Sequence, residues 1–166
     1  MKGKKAVQLI LGAVLIAALV FLDQWTKQLA VANLKGKDFL VLIPGVLELG
    51  YVENRGMAFG LLQDARIFFL VVTTIALGLF LFILIRLPAD KRFRPLRLGL
   101  LFMVAGAVGN MIDRVVQGYV VDFVYIKLVN FPLFNVADCC VTITAVLLFI
   151  VLVFFYKEED YAKLGL

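Results

Sequence analysis

The sequence predicts an all-α membrane protein with four transmembrane helices, a small extracytoplasmic β-element and a short outer-loop helix. The first observation is composition: of 166 residues, 63% are hydrophobic and 17% are charged, whereas soluble domains average about 45–50% apolar and about 25% charged. The second is that four uncharged runs approach the roughly 20 helical residues that cross a bilayer. These runs are Ala6–Leu22, Ile67–Ile85, Leu98–Ile112 and Cys139–Tyr156.

From these runs we predict spans at about residues 6–25, 66–86, 97–116 and 138–156, within a single integral membrane domain covering residues 1–166. The first run is longer than the apolar core of a cleavable signal peptide, so we expect an uncleaved span. The third run covers only about 22 Å of a hydrocarbon core about 30 Å thick. Helix three must therefore continue through Asn110, Asp113 and Arg114.

Basic residues predict the orientation. They bunch beside the first span and between spans two and three, as cytoplasmic flanks do, at Lys2, Lys4, Lys5, Arg86, Lys91, Arg92, Arg94 and Arg97. Both termini are then cytoplasmic, and the outer segments are about 28–65 and 117–137. Because this charge follows the spans, we attribute it to membrane orientation and expect no nucleic-acid partner.

The outer segments carry their own local signals. Strand-like stretches at 39–43 and 46–52 flank the turn dipeptide Pro44-Gly45, which predicts a small β-element. Residues 119–129 are also strand-like. Residues 56–63 are compatible with a short helix, which is either a lid over a site or a loop on the bilayer surface.

Residue usage excludes several kinds of chemistry. The chain contains no histidine, so Ser-His-Asp and Cys-His catalysis are impossible within it. The adjacent pair Cys139 and Cys140 suits neither a disulfide framework nor a four-ligand zinc site, and we interpret both as apolar packing residues. We therefore expect no metal and no cofactor.

Four aspartates converge near the outer ends of the spans, where ionisable groups indicate a functional site. Each has an alternative, purely structural interpretation. Asp23 can pair with Lys27 at i,i+4, and Asp113 can pair with Arg114 or another interfacial base. Asp138 can cap helix four unless Asn135 takes that position, whereas Asp122 lies in a strand-like apolar stretch that would raise its pKa.

Two carboxylates in a site of low dielectric share a proton, which is the basis of aspartic-protease chemistry. The spacing of the four aspartates does not by itself choose one pair among them. A small proton-coupled carrier or a lipid-binding membrane protein could use the same acids. The residues alone leave these functions open.

Five short motifs, in order along nearly the whole chain, resemble the lipoprotein signal peptidases, the type II signal peptidases of bacteria. They are Asp23-Gln24 with Thr26-Lys27, Glu53 to Gly60, Gly109 to Arg114, Val120 to Phe123, and Phe134 to Asp138. The resemblance implies an intramembrane aspartic endopeptidase of the bacterial cytoplasmic membrane. It would remove the signal peptide of a prolipoprotein by cleaving just before the diacylglyceryl-modified lipobox cysteine.

The same resemblance implies the site. Asp122 and Asp138 would be the catalytic pair, near the outer face of the membrane. Six further residues would bind substrate or support the pair: Asp23, Asn54, Gly56, Asn110, Arg114 and Asn135. The expected partners are diacylglyceryl-modified prolipoproteins and membrane lipid, and the expected state is a monomer.

Overall fold

The fold, in a computed structural model that describes residues 2–56 and 65–164, is a helical bundle with a small sheet at one end. Four helices within the described residues are long and apolar enough to cross a membrane, which confirms the predicted fold class. The helices are α1 (Lys2–Leu34), α2 (Arg66–Arg86), α3 (Arg94–Val116), α4 (Val136–Ile150) and the short α5 (Glu158–Leu164). A 3₁₀ turn, Lys91–Phe93, precedes α3, and a π-helical segment, Val151–Phe155, continues α4.

Helix α1 extends past residue 25, where the predicted first span ends, and continues to Leu34. No proline or glycine interrupts residues 26–34, so the helix continues beyond its apolar run. Its last turns bury Ala30 and Leu34 against Val121 of the sheet. One helix therefore carries both the polar stretch around Asp23 and the support for the sheet.

Helix α3 lies at the centre of the bundle and packs against α1, α2 and α4. It continues through Asn110 and Asp113, as predicted. Two glycines allow its neighbours to come close. A Cβ added to Gly106 would lie 2.5 Å from the Ala137 carbonyl oxygen, and one added to Gly109 would lie 2.5 Å from Asp23 Oδ2. Both positions therefore exclude a side chain.

The sheet has three antiparallel strands in the order β1 (Leu40–Ile43), β2 (Leu47–Asn54) and β3 (Val120–Ile126). The hairpin predicted around Pro44-Gly45 joins β1 to β2. The predicted helix at 56–63 lies outside the described residues, except for Gly56, which is in a bend.

After β3 the chain turns back on itself. Phe134 forms a bridge with Val124, with N–H to carbonyl distances of 3.0 and 2.9 Å in the two directions. This return brings Asn135, the residue before α4, beside the buried part of β3. The start of a membrane helix is thereby fixed next to the sheet.

Candidate active site

Asn135 joins Asp122 of β3 to Asp138 of α4. Its side chain is fully buried, and its Nδ2 donates to Asp122 Oδ1 at 2.7 Å. Its backbone N–H donates to Asp138 Oδ2 at 3.1 Å, while its Oδ1 accepts from the Asp138 N–H at 2.9 Å. Asn135 is thus the N-cap of α4, as one of the two sequence interpretations predicted, and Asp138 lies in the first turn.

Two further asparagines complete the contacts of the carboxylates. Asn54, at the end of β2, donates from Nδ2 to Asp122 Oδ2 at 2.8 Å. Asn110, on α3, donates from Nδ2 to Asp138 Oδ1 at 2.7 Å. Each aspartate therefore accepts a hydrogen bond on both oxygens, which fixes the plane of each carboxyl group.

Burial governs the protonation of Asp122, whose residue surface is only 2% exposed. Loss of water, together with the nearby charge of Asp138, raises the pKa of Asp122 to about 7. The hydrogen bonds from Asn54 and Asn135 act in the opposite direction, because they favour the ionised form. Asp122 can consequently hold a proton near neutral pH.

A buried ion network lies on the other side of Asn110. Lys27, 3% exposed, is 2.9 Å from Asp23 Oδ2 and 3.0 Å from Asp113 Oδ2. The same ammonium group donates to Asn110 Oδ1 at 2.9 Å. Because the lysine occupies the amide oxygen of Asn110, the amide nitrogen is oriented toward Asp138.

The two carboxylates of this network also hold the backbone beside the site. Asp23 Oδ1 accepts from the N–H of Ala137 at 2.9 Å, and Asp113 Oδ2 accepts from the N–H of Val121 at 3.1 Å. Ala137 and Val121 immediately precede Asp138 and Asp122. The network therefore fixes the two segments that carry the candidate catalytic residues.

The other two predicted site residues have more peripheral contacts. Gly56 is buried and donates its N–H to Asn54 Oδ1 at 3.0 Å. The Arg114 guanidinium lies 4.7 Å from the centre of the Phe69 ring and 3.5 Å from the Asn110 carbonyl oxygen. Within the described residues, no ion pair or hydrogen bond connects Arg114 to Asp122 or Asp138.

The site that the resemblance implied did not include Lys27, Asp113 and Gln24, although Asp113 was one of the four converging aspartates. The i,i+4 spacing indicated the Asp23 to Lys27 pair, but the second partner of the lysine is Asp113, 86 positions further along the chain (113 − 27). Of the two partners that the sequence offered for Asp113, Arg114 or another interfacial base, the described residues show the second, which is Lys27. Gln24 bridges the two acids, with Nε2 at 3.2 Å from Asp23 Oδ2 and 2.9 Å from Asp113 Oδ1.

Four apolar helices with buried, hydrogen-bonded carboxylates at one end define a multi-pass membrane protein with an acidic polar site. The chain belongs to the signal peptidase II family, since the family described as "Signal peptidase (SPase) II" matches residues 15–154. The sequence resemblance is confirmed, and the chain is a multi-pass bacterial membrane protease.

Similar proteins support the assignment to this family over most of the chain. The chain is 42% identical to the lipoprotein signal peptidase of Streptococcus thermophilus (strain CNRZ 1066), over 89% of this chain and 93% of that protein. The identity to the lipoprotein signal peptidase of Enterococcus faecalis (strain ATCC 700802 / V583) is 41%, over 90% and 91%. The match covers almost the whole length of each relative.

Solved structures agree on the fold. A bacterial membrane enzyme structure determined by the in meso method at 2.3 Å resolution has a TM-score of 0.78 and 32% identity, covering 89% of this chain and 92% of that one. A second such structure, at 1.9 Å resolution, has a TM-score of 0.74 and 31% identity, covering 87% and 94%.

Proposed function

We propose that this protease, which removes the signal peptides of prolipoproteins, acts by aspartic chemistry, with Asp122 and Asp138 as the catalytic pair. It would cut just before the diacylglyceryl-modified cysteine of the lipobox. The family assignment supports the substrate class and does not favour the carrier or lipid-binding alternative. The observation that carries the chemistry is the shared contact of both carboxylates with buried Asn135.

In the proposed reaction, the ionised carboxylate removes a proton from water as the water attacks the scissile carbonyl carbon. The protonated carboxyl group, which we assign to Asp122, donates to the carbonyl oxygen. Asp138, which took the water proton, then gives it to the amine nitrogen as the C–N bond breaks. Asp122 takes a proton back from a hydroxyl of the tetrahedral intermediate, which leaves a carboxylic acid product and restores the starting pair. Asn54, Asn110 and Asn135 hold the two carboxyl planes, so little reorganisation is needed during these transfers.

We further propose that the site faces the outer side of the membrane and both termini face the cytoplasm. The basic residues between α2 and α3 lie at the end of the bundle that carries the N-terminus, since Gln8 Nε2 donates to the Ala89 carbonyl oxygen at 3.4 Å. The sheet and the aspartates lie at the other end. The positive-inside rule then assigns the aspartates to the outer interface.

Interfacial depth suits the proposed substrate. A diacylglyceryl-modified cysteine has its acyl chains in the bilayer and its peptide at the headgroup boundary. We further propose that a monomer is sufficient for the reaction. The proposed reaction uses no metal and no cofactor. Membrane lipid surrounds the protein.

The proposal is tested by giving the purified, reconstituted protein a prolipoprotein that already carries the diacylglyceryl group. We expect two products, the free signal peptide and a protein whose new N-terminus is the modified cysteine, identified by mass spectrometry. A carrier or lipid-binding protein would leave this substrate intact. Cleavage at any other bond would contradict the proposed specificity.

We expect cleavage to depend strongly on the diacylglyceryl group. A prolipoprotein with an unmodified cysteine should be cut at least about 100-fold more slowly, a loss equivalent to only about three or four buried methylene groups at ~0.8 kcal/mol each. The loss should affect turnover as well as apparent affinity, because binding of the acyl chains orients the scissile bond.

Initial rates over a range of concentrations of the modified and unmodified substrates, in one detergent, measure this dependence. A substrate with the same acyl group but a shuffled lipobox controls for simple partition into micelles. Equal rates for the two cysteine forms would show that the site recognises only the peptide.

We expect activity to fall as the pH rises through about 7. Burial raises the pKa of Asp122 to about this value, and above it the pair loses the proton that the reaction requires. Replacing Asn54 by Ala removes a hydrogen bond that lowers the pKa of Asp122. The alkaline limb of the kcat/KM profile should therefore move to higher pH in Asn54→Ala.

Asn33→Ala is a matched control, because the Asn33 amide donates to the Leu29 carbonyl oxygen and is exposed. Its pH profile should coincide with that of the parent chain. The position of the limb is the relevant measurement, whatever the maximal rate of each variant. An unchanged limb in Asn54→Ala would refute the assigned role of Asp122.

A further inference from the structure

A cleft between α1 and α3 opens at the basic end of the bundle, the end formed by residues 2–12 and 86–97. Its volume is about 330 Å³. Its basic rim lies far from the aspartates, since Arg97 and Asn110 are 13 positions apart on α3 (110 − 97), a rise of about 20 Å. The proposed peptidase reaction does not use this cleft.

The rim of the cleft is basic. Lys91, Arg94 and Arg97 line it together with one acid, Asp90. Within residues 2–56 and 65–164, none of the three cations has a carboxylate oxygen within 4.0 Å. The Asp90 carboxylate accepts from the N–H of Arg92 at 2.9 Å, which caps the 3₁₀ turn. Three cations against one carboxylate leave two positive charges at the rim (3 − 1).

The floor of the cleft is apolar. It is formed by Gly12 and by four leucines of the two helices, Leu11, Leu15, Leu98 and Leu101. A Cβ at Gly12 would lie 3.0 Å from Leu101 Cδ2. The glycine therefore keeps the floor free of a side chain where α1 meets α3. Positive charge at the surface and apolar depth beneath it match a ligand with an anionic head and a hydrocarbon tail.

We propose that this cleft binds an anionic glycerophospholipid of the membrane leaflet at the basic end. Lys91, Arg94 and Arg97 contact the phosphate, and one acyl chain lies along Gly12, Leu15 and Leu101. Basic pockets between transmembrane helices recognise phospholipid headgroups in this way. A free phosphate would leave the apolar floor uncovered, and a zwitterionic lipid would leave the two positive charges unbalanced.

The test uses the full purified chain in a nonionic detergent, with three probes: phosphatidylglycerol, phosphatidylcholine with the same acyl chains, and inorganic phosphate. Native mass spectrometry counts bound lipid, and the midpoint of thermal unfolding reports stabilisation. We expect a retained phosphatidylglycerol and a raised midpoint that depends on its concentration. Phosphatidylcholine and inorganic phosphate should give neither.

Two variants locate the site. Lys91→Gln with Arg94→Gln should weaken phosphatidylglycerol binding about 30-fold, from the loss of two cations near the headgroup. Leu11→Trp, which places a bulky ring in the cleft from an exposed position, should weaken binding without changing the charge. Both changes lie on the surface, and both variants should keep the parent unfolding midpoint in the absence of lipid.

Arg86→Gln is the control for charge. Arg86 belongs to the same basic end, but its guanidinium lies 5.0 Å from the centre of the Phe82 ring, outside the cleft lining. It should bind phosphatidylglycerol as the parent does. Equal weakening in Arg86→Gln, equal retention of phosphatidylcholine, or an equal effect of inorganic phosphate would each overturn the proposal.

Discussion

Replacing either Asp122 or Asp138 by Asn should lower the rate of signal-peptide release by about 10²–10⁴-fold while the protein stays folded. An asparagine has almost the shape of the aspartate but neither takes nor gives a proton under these conditions. Both positions should be equally sensitive, because each carboxyl group serves as acid in one step and as base in another. The initial rate with a diacylglyceryl-modified prolipoprotein measures the effect.

Glu48→Gln is the matched control for these variants. Glu48 is also a buried carboxylate, 3% exposed, but it bonds Lys127 at 2.6 Å and pairs with Tyr125 across the sheet. This change removes a buried negative charge without altering the aspartate pair, so cleavage should stay near the parent rate. Substantial turnover by a folded Asp138→Asn or Asp122→Asn variant would rule out the proposed pair.

Local sequence signals predicted much of the fold. The uncharged runs predicted the four spans because a helix in lipid must satisfy its backbone groups internally and bury few charges. The Pro44-Gly45 dipeptide predicted the β1 to β2 hairpin, because it supplies the turn between two β-rich stretches. The position of each aspartate at a span end predicted that the acids lie at one end of the bundle.

Contacts between distant segments could not be predicted in the same way. The pairing of Glu48 with Tyr125 joins strands separated by 77 positions (125 − 48), and no local pattern specifies such a register. The extension of α1 to Leu34 was not predicted, because its last turns pack against the distant strand β3. The bridge between Val124 and Phe134, which positions Asn135, is likewise a tertiary contact.

In the candidate site, too, contacts within one segment were predictable and contacts between distant segments were not. Asn135 and Asp138 both lie at a predicted helix start, so the sequence offered each of them as the N-cap, and the structure shows that Asn135 takes that position. The link from Asn110 to Asp138 depends on how α3 crosses α4, which Gly106 and Gly109 permit but do not specify. For the same reason, the sequence identified one carboxylate partner of Lys27 and not the other.

That buried lysine gives the second large expected effect. Lys27→Met should destabilise the protein by about 3–5 kcal/mol, because it leaves the carboxylates of Asp23 and Asp113 buried without their cation. The unfolding midpoint in detergent measures the loss. Lys35→Met is the control: Lys35 pairs with Glu53 at 3.0 Å, but its side chain is 51% exposed, so its removal should change the midpoint little.

A third variant separates the loss of a charge partner from the loss of packing. Combining Lys27→Met with Asp23→Asn and Asp113→Asn removes all three charges, and the asparagine oxygens can still accept from the N–H groups of Ala137 and Val121. Neutralising a whole buried network costs less than breaking it. We therefore expect the triple variant to unfold at a higher temperature than Lys27→Met alone. If the two midpoints coincide, the lysine stabilises the bundle through the packing of its side chain, and its charge is not what holds the segments before Asp122 and Asp138 in position.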